Sequence, residues 1–153
     1  MERGAKPLRP IWLDDGGRTV GVIDQRRLPH EHATRHLATV DDAVEAIREM
    51  VVRGAPLIGV TGAYGLYLAA RTAAAEGRAI DDLRQAAERL SAARPTAVNL
   101  KRAVARVLQA ITAADSGRRT TAALQATEAI VAEEVENGRR IGEHGRPLIE
   151  AIG

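Results

Sequence analysis

Two arginines lie directly before predicted helix starts, where they could bind an anion. Arg53 precedes Gly54 and Pro56, and Arg94 precedes Pro95. A helix N-terminus offers unpaired backbone N–H groups and the positive end of the helix dipole. A guanidinium group adds a fork of charged donors that suits phosphate. Two such ends that converge would bind a phosphorylated small molecule. An arginine beside a helix end is more often a surface or ion-paired residue, so the spacing alone leaves both interpretations open.

The elements that must position these arginines are helices, preceded by one short hairpin. Two β-prone runs, residues 11–13 and 20–23, flank a turn with two glycines and predict the hairpin. Thr39 suits an N-cap, and apolar residues at three-to-four spacing predict a first helix from there to about Val51. Pro56 suits the first turn of a second helix, which is predicted to run to about residue 75.

The second helix contains Gly59, Gly62 and Gly65, and each costs about 1 kcal/mol relative to alanine. Close backbone packing compensates for this cost, so we expect a central, buried helix. A third helix opens at Asp81 and stops before Pro95. Further helices are predicted from about 96 to 114, from about 120 to residues 137–138, which either weaken or end the helix, and over 141–152. The fold class is mainly α: a bundle of five or six helices with a small N-terminal β-hairpin.

Composition excludes several classes of function. The net charge is +2, from 22 basic and 20 acidic residues, so bulk charge does not indicate a nucleic-acid partner. The sequence contains no cysteine, hence no disulfide, thiolate metal site or cysteine nucleophile. The first ten residues lack an apolar signal core, and no apolar run is long enough to span a bilayer. We therefore expect a cytoplasmic protein with no membrane partner, no metal and no cofactor.

A family resemblance adds to this interpretation. Residues 50–60 and 63–66, Met-Val-Val-Arg-Gly-Ala-Pro-Leu-Ile-Gly-Val and Ala-Tyr-Gly-Leu, closely resemble the signature of methylthioribose-1-phosphate isomerases and their kin. Residues 94–100, Arg-Pro-Thr-Ala-Val-Asn-Leu, are similar to that family's second signature. The early segments at 8–11, 23–25 and 28–29 fall in the order expected for the family. Relatives in the larger group include ribose-1,5-bisphosphate isomerases and regulatory subunits of the translation-initiation exchange factor.

The resemblance implies an architecture and a set of binding residues. Members have an amino-terminal helical domain with a small hairpin, followed by a Rossmann-like α/β domain that is absent here. We expect one domain over residues 1–153, with hairpin and loop to about 38 and helices from 39 to 153. The resemblance further implies that Arg53, Gly54, Ala55 and Arg94 contact substrate. The family's catalytic cysteine and aspartate have no counterpart in this sequence, so no catalytic residue is expected in the chain.

The function implied is one half of an aldose–ketose isomerase of methionine salvage, which converts methylthioribose 1-phosphate to methylthioribulose 1-phosphate. The chain would hold the substrate phosphate, and it is expected to be inactive without a carboxy-terminal α/β domain as its partner. The alternative is a non-catalytic module that binds a sugar phosphate or nucleotide, like the regulatory relatives. A third interpretation is an interaction protein whose exposed face awaits a partner chain. Exposed apolar surface left by a missing domain would favour self-association into a homo-oligomer.

Overall fold

The computed structural model of the chain describes residues 9–14 and 16–152, a mainly helical fold that begins with a small sheet. This part of the chain contains three strands and five α-helices, which confirms the predicted fold class. Leu8 of the early motif and Asp15 of the predicted turn lie outside the described residues. The elements are β1 (Ile11–Leu13), β2 (Val20–Ile23), β3 (Thr34–Leu37), α1 (Val40–Arg48), α2 (Ala55–Glu76), α3 (Ile80–Ala93), α4 (Val98–Ala113), a 3-10 turn (Ser116–Arg118) and α5 (Arg119–Glu150).

The sheet is antiparallel with the order β1-β2-β3. The predicted hairpin is present, with Trp12 opposite Gly21 in its register. The third strand was not predicted, since its sequence, Thr-Arg-His-Leu, has a single buried apolar side chain, Leu37, and lacks a clear alternation. It pairs with β2, whose four residues are all buried. The sheet therefore covers one side of the helical core.

Helix α2 is the centre of the bundle, as its glycines predicted, and every residue from Ile58 to Ala70 is buried. Helix α4 packs directly on the glycine side of α2. A Cβ placed on Gly59 would lie 3.1 Å from the carbonyl oxygen of Asn99, and one placed on Gly62 would overlap Leu100. These two glycines are therefore required by the close approach of α4.

Helix α5 is continuous, so residues 137–138 do not end it, and the separate helix predicted over 141–152 is wrong. The helix passes through Gly138 and includes Pro147, where one backbone hydrogen bond is lost. Ion pairs at helical spacing join Arg139 to Glu136 and to Glu143 across this stretch. Each such pair favours the helix by about 0.2–0.5 kcal/mol, which is less than the cost of a glycine or proline in a helix interior.

The two halves of α5 differ in what covers them. In the first half, the Thr127 hydroxyl donates to the carbonyl of Ala63, and Ile130 is buried. Ile141 follows Ile130 by 11 residues and Leu148 follows Ile141 by 7, which is about three and two helical turns, so they continue the same face. Both are at least 70% exposed. We call residues 135–150, which extend beyond the bundle, the overhang. None of the described helices has the length and apolar character needed to cross a membrane.

The loop between α1 and α2 carries Arg53 and is closed by a Schellman motif. The amide of Val51 donates to the carbonyl of Ala46, and the amide of Met50 donates to that of Ile47. Met50 adopts the left-handed region, with φ 56°. Helix α1 therefore ends at Arg48, earlier than the predicted end near Val51, because apolar spacing does not report a backbone reversal.

A buried carboxylate ties the same loop to the sheet. Asp24 is 2% exposed, and its two oxygens accept three hydrogen bonds from the main chain and guanidinium of Arg26. The next amide, of Gln25, donates to the carbonyl of Val51 at 2.9 Å. The guanidinium hydrogen bonds hold the pKa of Asp24 down at about 2, against an ordinary value of 3.8. Asp24 thus fixes the strand end against which the Arg53 loop is docked.

Replacing Met50 with glycine is expected to raise the free energy of unfolding by about 1 kcal/mol, because glycine adopts the left-handed region without a Cβ penalty. Met50 is 41% exposed, so little packing is lost. Urea unfolding of Met50→Gly measures the change. Glu49→Gly is the matched control, since its φ is −81° and glycine brings no gain there. A Met50→Gly protein no more stable than Glu49→Gly would contradict this account of the loop.

The depressed pKa of Asp24 predicts a pH-dependent stability. The contribution is fully present above the unfolded pKa near 3.8 and is lost as pH falls through the folded value of about 2. Asp24→Asn is therefore expected to be less stable than the parent at pH 5, with the gap narrowing towards pH 2. Urea unfolding at both pH values tests this, with exposed Glu88→Gln as the control. A gap of equal size at the two pH values would argue against the carboxylate as its source.

Candidate functional site

Helices α2 and α4 begin side by side at one end of the bundle. Gly59, in the second turn of α2, contacts Asn99 in the first turn of α4, and Gly62 contacts Leu100 and Val104 one turn further along both helices. Contacts that advance together along the two chains mean that the helices run parallel. Their N-termini therefore point out of the same end of the molecule, which we call the anion corner.

Neither N-terminus at the anion corner is capped by a side chain, and Glu134 of α5 lines the cleft beside Pro56. Helix α2 is preceded by Gly54 and α4 by Ala97, and neither has a side-chain cap or an acidic residue in its first turn. Helix α1, by contrast, has a complete capping box between Thr39 and Asp42. The uncapped amides and two parallel helix dipoles create a positive potential that suits an anion.

Arg53 and Gly54 form the rim of the corner on the α2 side. The Arg53 side chain is exposed, and its Nε donates to the carbonyl of Met50 at 3.4 Å. Gly54 has φ 94° and ψ 135°, a conformation that side chains strongly disfavour, and a Cβ built there would contact nothing within 4 Å. Glycine is thus required by the backbone turn, while the space beside it stays open to solvent. Ala55, the first residue of α2, is exposed beside this space.

Arg94 lies on the α4 side, in the connection between α3 and α4. Its backbone is extended, with φ −142° and ψ 90°, as the following Pro95 predicted. The carbonyl of Arg94 accepts the amide of Ala97, which leads directly into α4. Within residues 9–14 and 16–152, neither Arg53 nor Arg94 has a carboxylate partner at ion-pair distance. The structure therefore brings together the two helix ends that follow these residues and leaves both guanidinium groups without an acidic partner in that part of the chain.

A cleft beside the anion corner was not predicted. It has a volume of about 310 Å³ and is lined at one end by Pro56 and Asn99, from the first turns of α2 and α4. Arg106 spans its far side and makes two hydrogen bonds to Glu133 of α5, at 2.6 and 2.7 Å. These bonds lower the pKa of Glu133 and raise that of Arg106. Arg102, one turn before Arg106, also lines the cleft. The four-residue spacing of these two arginines, soon after the Arg94 motif, was the only signal of the cleft in the sequence.

The chemistry available at the corner is electrostatic binding. Helix amides and guanidinium groups can hold a phosphate by charge-assisted hydrogen bonds. Among the residues that the structure describes, no three His, Asp or Glu side chains come together as metal ligands. His36 of β3 contacts Asp14, which follows β1, and this pair lies away from the corner.

Comparison with known proteins places these features in a family. A family model described as "Initiation factor 2 subunit family" matches residues 51–152. The methylthioribose-1-phosphate isomerase of Desulfosudis oleivorans is 50% identical over 150 residues, which are 95% of this chain and 40% of that protein. The one from Methylorubrum populi is 45% identical and is covered to the same 40%, by 99% of this chain. The chain therefore spans about two-fifths of the length of these curated relatives.

Two solved structures resemble the fold. The 5-methylthioribose 1-phosphate isomerase of Pyrococcus horikoshii OT3 superimposes with a TM-score of 0.81 at 33% identity, over 92% of this chain and 40% of that one. The delta subunit of translation initiation factor eIF-2B from A. fulgidus gives a TM-score of 0.77 at 35% identity, over 92% and 42%. Because the family model covers two-thirds of its residues, the chain belongs to the Initiation factor 2 subunit family.

Proposed function

We propose that the chain is the substrate-phosphate-binding part of an aldose–ketose isomerase that acts on methylthioribose 1-phosphate. The observation that carries the proposal is the pair of adjoining, uncapped helix N-termini, each preceded by an arginine without an acidic partner in the described chain. Arg53, Gly54, Ala55 and Arg94 are the proposed substrate contacts. The names of the curated relatives and of one solved neighbour support this choice of substrate.

The charges of the proposed contacts suit a phosphomonoester in particular. Two guanidinium groups supply two positive charges, which match a phosphate dianion, and the helix amides add neutral donors around it. Holding the phosphate would fix the sugar in one orientation while protons move between its first two carbons. A general acid and base for that transfer are assigned to the part of the enzyme beyond this domain, because the corner provides donors of fixed charge and no cysteine exists in the chain.

The overhang of α5 supports a partner domain. Its exposed apolar side chains, Ile141 and Leu148, continue a face that is buried in the first half of the helix. Apolar area arranged in this way usually marks an interface. We propose that a carboxy-terminal α/β domain, in the same chain or another, packs on the overhang and closes the anion corner. In a chain without that domain, the same face would favour self-association.

A second candidate is a regulatory module that binds a sugar phosphate or nucleotide without turning it over. The observation in its favour is the fold similarity to the eIF-2B delta subunit, which is nearly as high as the similarity to the isomerase. Both candidates use the same anion corner. Turnover, and not binding, is therefore the measurement that separates them.

Substitution of either arginine at the corner is expected to weaken phosphate binding by roughly tenfold to a hundredfold, as loss of a charge-assisted hydrogen bond requires. Calorimetric titration of Arg53→Gln and Arg94→Gln with methylthioribose 1-phosphate and with inorganic phosphate tests this. Arg84→Gln is the matched control, because Arg84 lies on α3 in an ion pair with Asp81 and makes the same change of charge. Equal affinities for all three variants would remove the support for the corner.

Isomerase turnover is expected to need the part of the enzyme that the relatives have beyond this domain. The chain alone should show no conversion of methylthioribose 1-phosphate. A fusion that adds the corresponding remainder of the Desulfosudis oleivorans relative should convert it, and Arg94→Gln in the fusion should lower kcat/KM by about tenfold or more. Conversion by the cysteine-free chain alone would show that the chemistry was assigned to the wrong part. Phosphate binding at the corner by a fusion that is folded and inactive would instead favour the regulatory candidate.

A further inference from the structure

A second cleft lies at the opposite end of α2, about 30 Å from the anion corner as judged from the length of the helix. Its volume is about 350 Å³. One wall is formed by small apolar side chains, Ala70, Ala73 and Ala74, together with Leu83. The polar wall comes from the end of α2 and the start of α5. We call this the distal cleft.

The charged groups of the distal cleft are all basic. Arg78 and Arg119 line it, and no carboxylate does so within the described residues. Arg78 reaches outwards to Glu76, in an ion pair whose side chains are each about half exposed, and such pairs contribute little and exchange readily. The hydroxyl of Ser116 is a further donor on the same wall. The lining therefore offers donors and positive charge without a built-in acceptor.

Arg119 has a buried polar atom that the protein does not satisfy. Its Nε is enclosed by the surrounding chain and meets no hydrogen-bond acceptor among the described residues. A buried donor of this kind costs about 1–3 kcal/mol, so the arrangement of Arg119 is held at a penalty. An anion in the distal cleft would relieve that penalty by drawing the guanidinium group towards it. Helix α5, which begins at Arg119, has no side-chain cap and no acid in its first turn, and Asp115 stands before the 3-10 turn that leads into it.

We propose that the distal cleft is a second anion site, which binds a small carboxylate or phosphate group whose carbon body lies on the alanine wall. The site is independent of the proposed isomerase function, because its residues do not include those of the anion corner. The site lies between the end of α2 and the start of α5. It therefore contacts two helices that also border the anion corner or the cleft beside it. Occupancy of the site would therefore stabilise these two helices from their far ends.

The test is a titration of the ¹⁵N-labelled chain with inorganic phosphate and, separately, with acetate, at constant ionic strength kept with chloride. The amides of Gly77 and Gly117, both in the lining, are the reporters. We expect saturable shifts of both, and an affinity about tenfold weaker in Arg119→Gln. Arg118→Gln is the matched control, because Arg118 is next to Arg119 in the chain but does not line the cleft, and this variant should bind as the parent does. Saturation by phosphate alone or acetate alone identifies the group that the site prefers.

Absence of saturable shifts with both anions would overturn the proposal, and so would equal weakening in Arg118→Gln and Arg119→Gln. The amide spectrum of each variant without anion shows whether it is folded, and Arg78→Gln takes the place of Arg119→Gln if that variant is not. Arg94→Gln is expected to leave the shifts of Gly77 and Gly117 unchanged. The same spectra therefore separate two outcomes. In one, the distal cleft binds an anion and the anion corner does not, and in the other the reverse holds.

Discussion

The close contact between α2 and α4 is the constraint on which the rest of the structure depends. Gly59 and Gly62 remove the side chains that would keep the helices apart, and the contact aligns them in parallel. Parallel alignment places two positive helix ends together, which is unfavourable unless something negative lies nearby. The chain supplies no acid or side-chain cap in either first turn. The packing that stabilises the core therefore also creates the potential that makes the corner a candidate anion site.

The position of Arg53 follows from contacts made well away from it. Asp24 holds the end of β2, the amide of Gln25 reaches Val51, and the Schellman motif reverses the chain at Met50. Together these contacts fix the two residues before Gly54. Arg94 is positioned more simply, because Pro95 requires an extended residue before it and α4 starts three residues later. The two sides of the corner are thus built by different means, and the α2 side depends on a longer series of interactions.

How much of this the sequence could predict depended on the kind of signal. Glycine spacing in α2 and the Thr39 cap carry their meaning within a few residues, so the buried helix and the helix start were predicted. Strand β3 depends on its partner strand β2 and was missed, and α5 continues through Gly138 and Pro147 against the helix propensity of these residues. The end of α1 was missed since a left-handed methionine has no sequence signature. The roles of Arg53 and Arg94 stay predictions, because the comparisons establish the family and not the contacts of individual residues.

Helix α5 links the parts of the molecule that function would have to connect. It starts at the distal cleft, runs antiparallel to α2, and is joined to α4 by the two hydrogen bonds between Arg106 and Glu133 beside the anion corner. It then continues without a break into the overhang. The overhang and the residue that pairs with Arg106 therefore belong to one helix. A partner domain on the overhang, as proposed above, would therefore pack on the same helix that borders the cleft beside the anion corner.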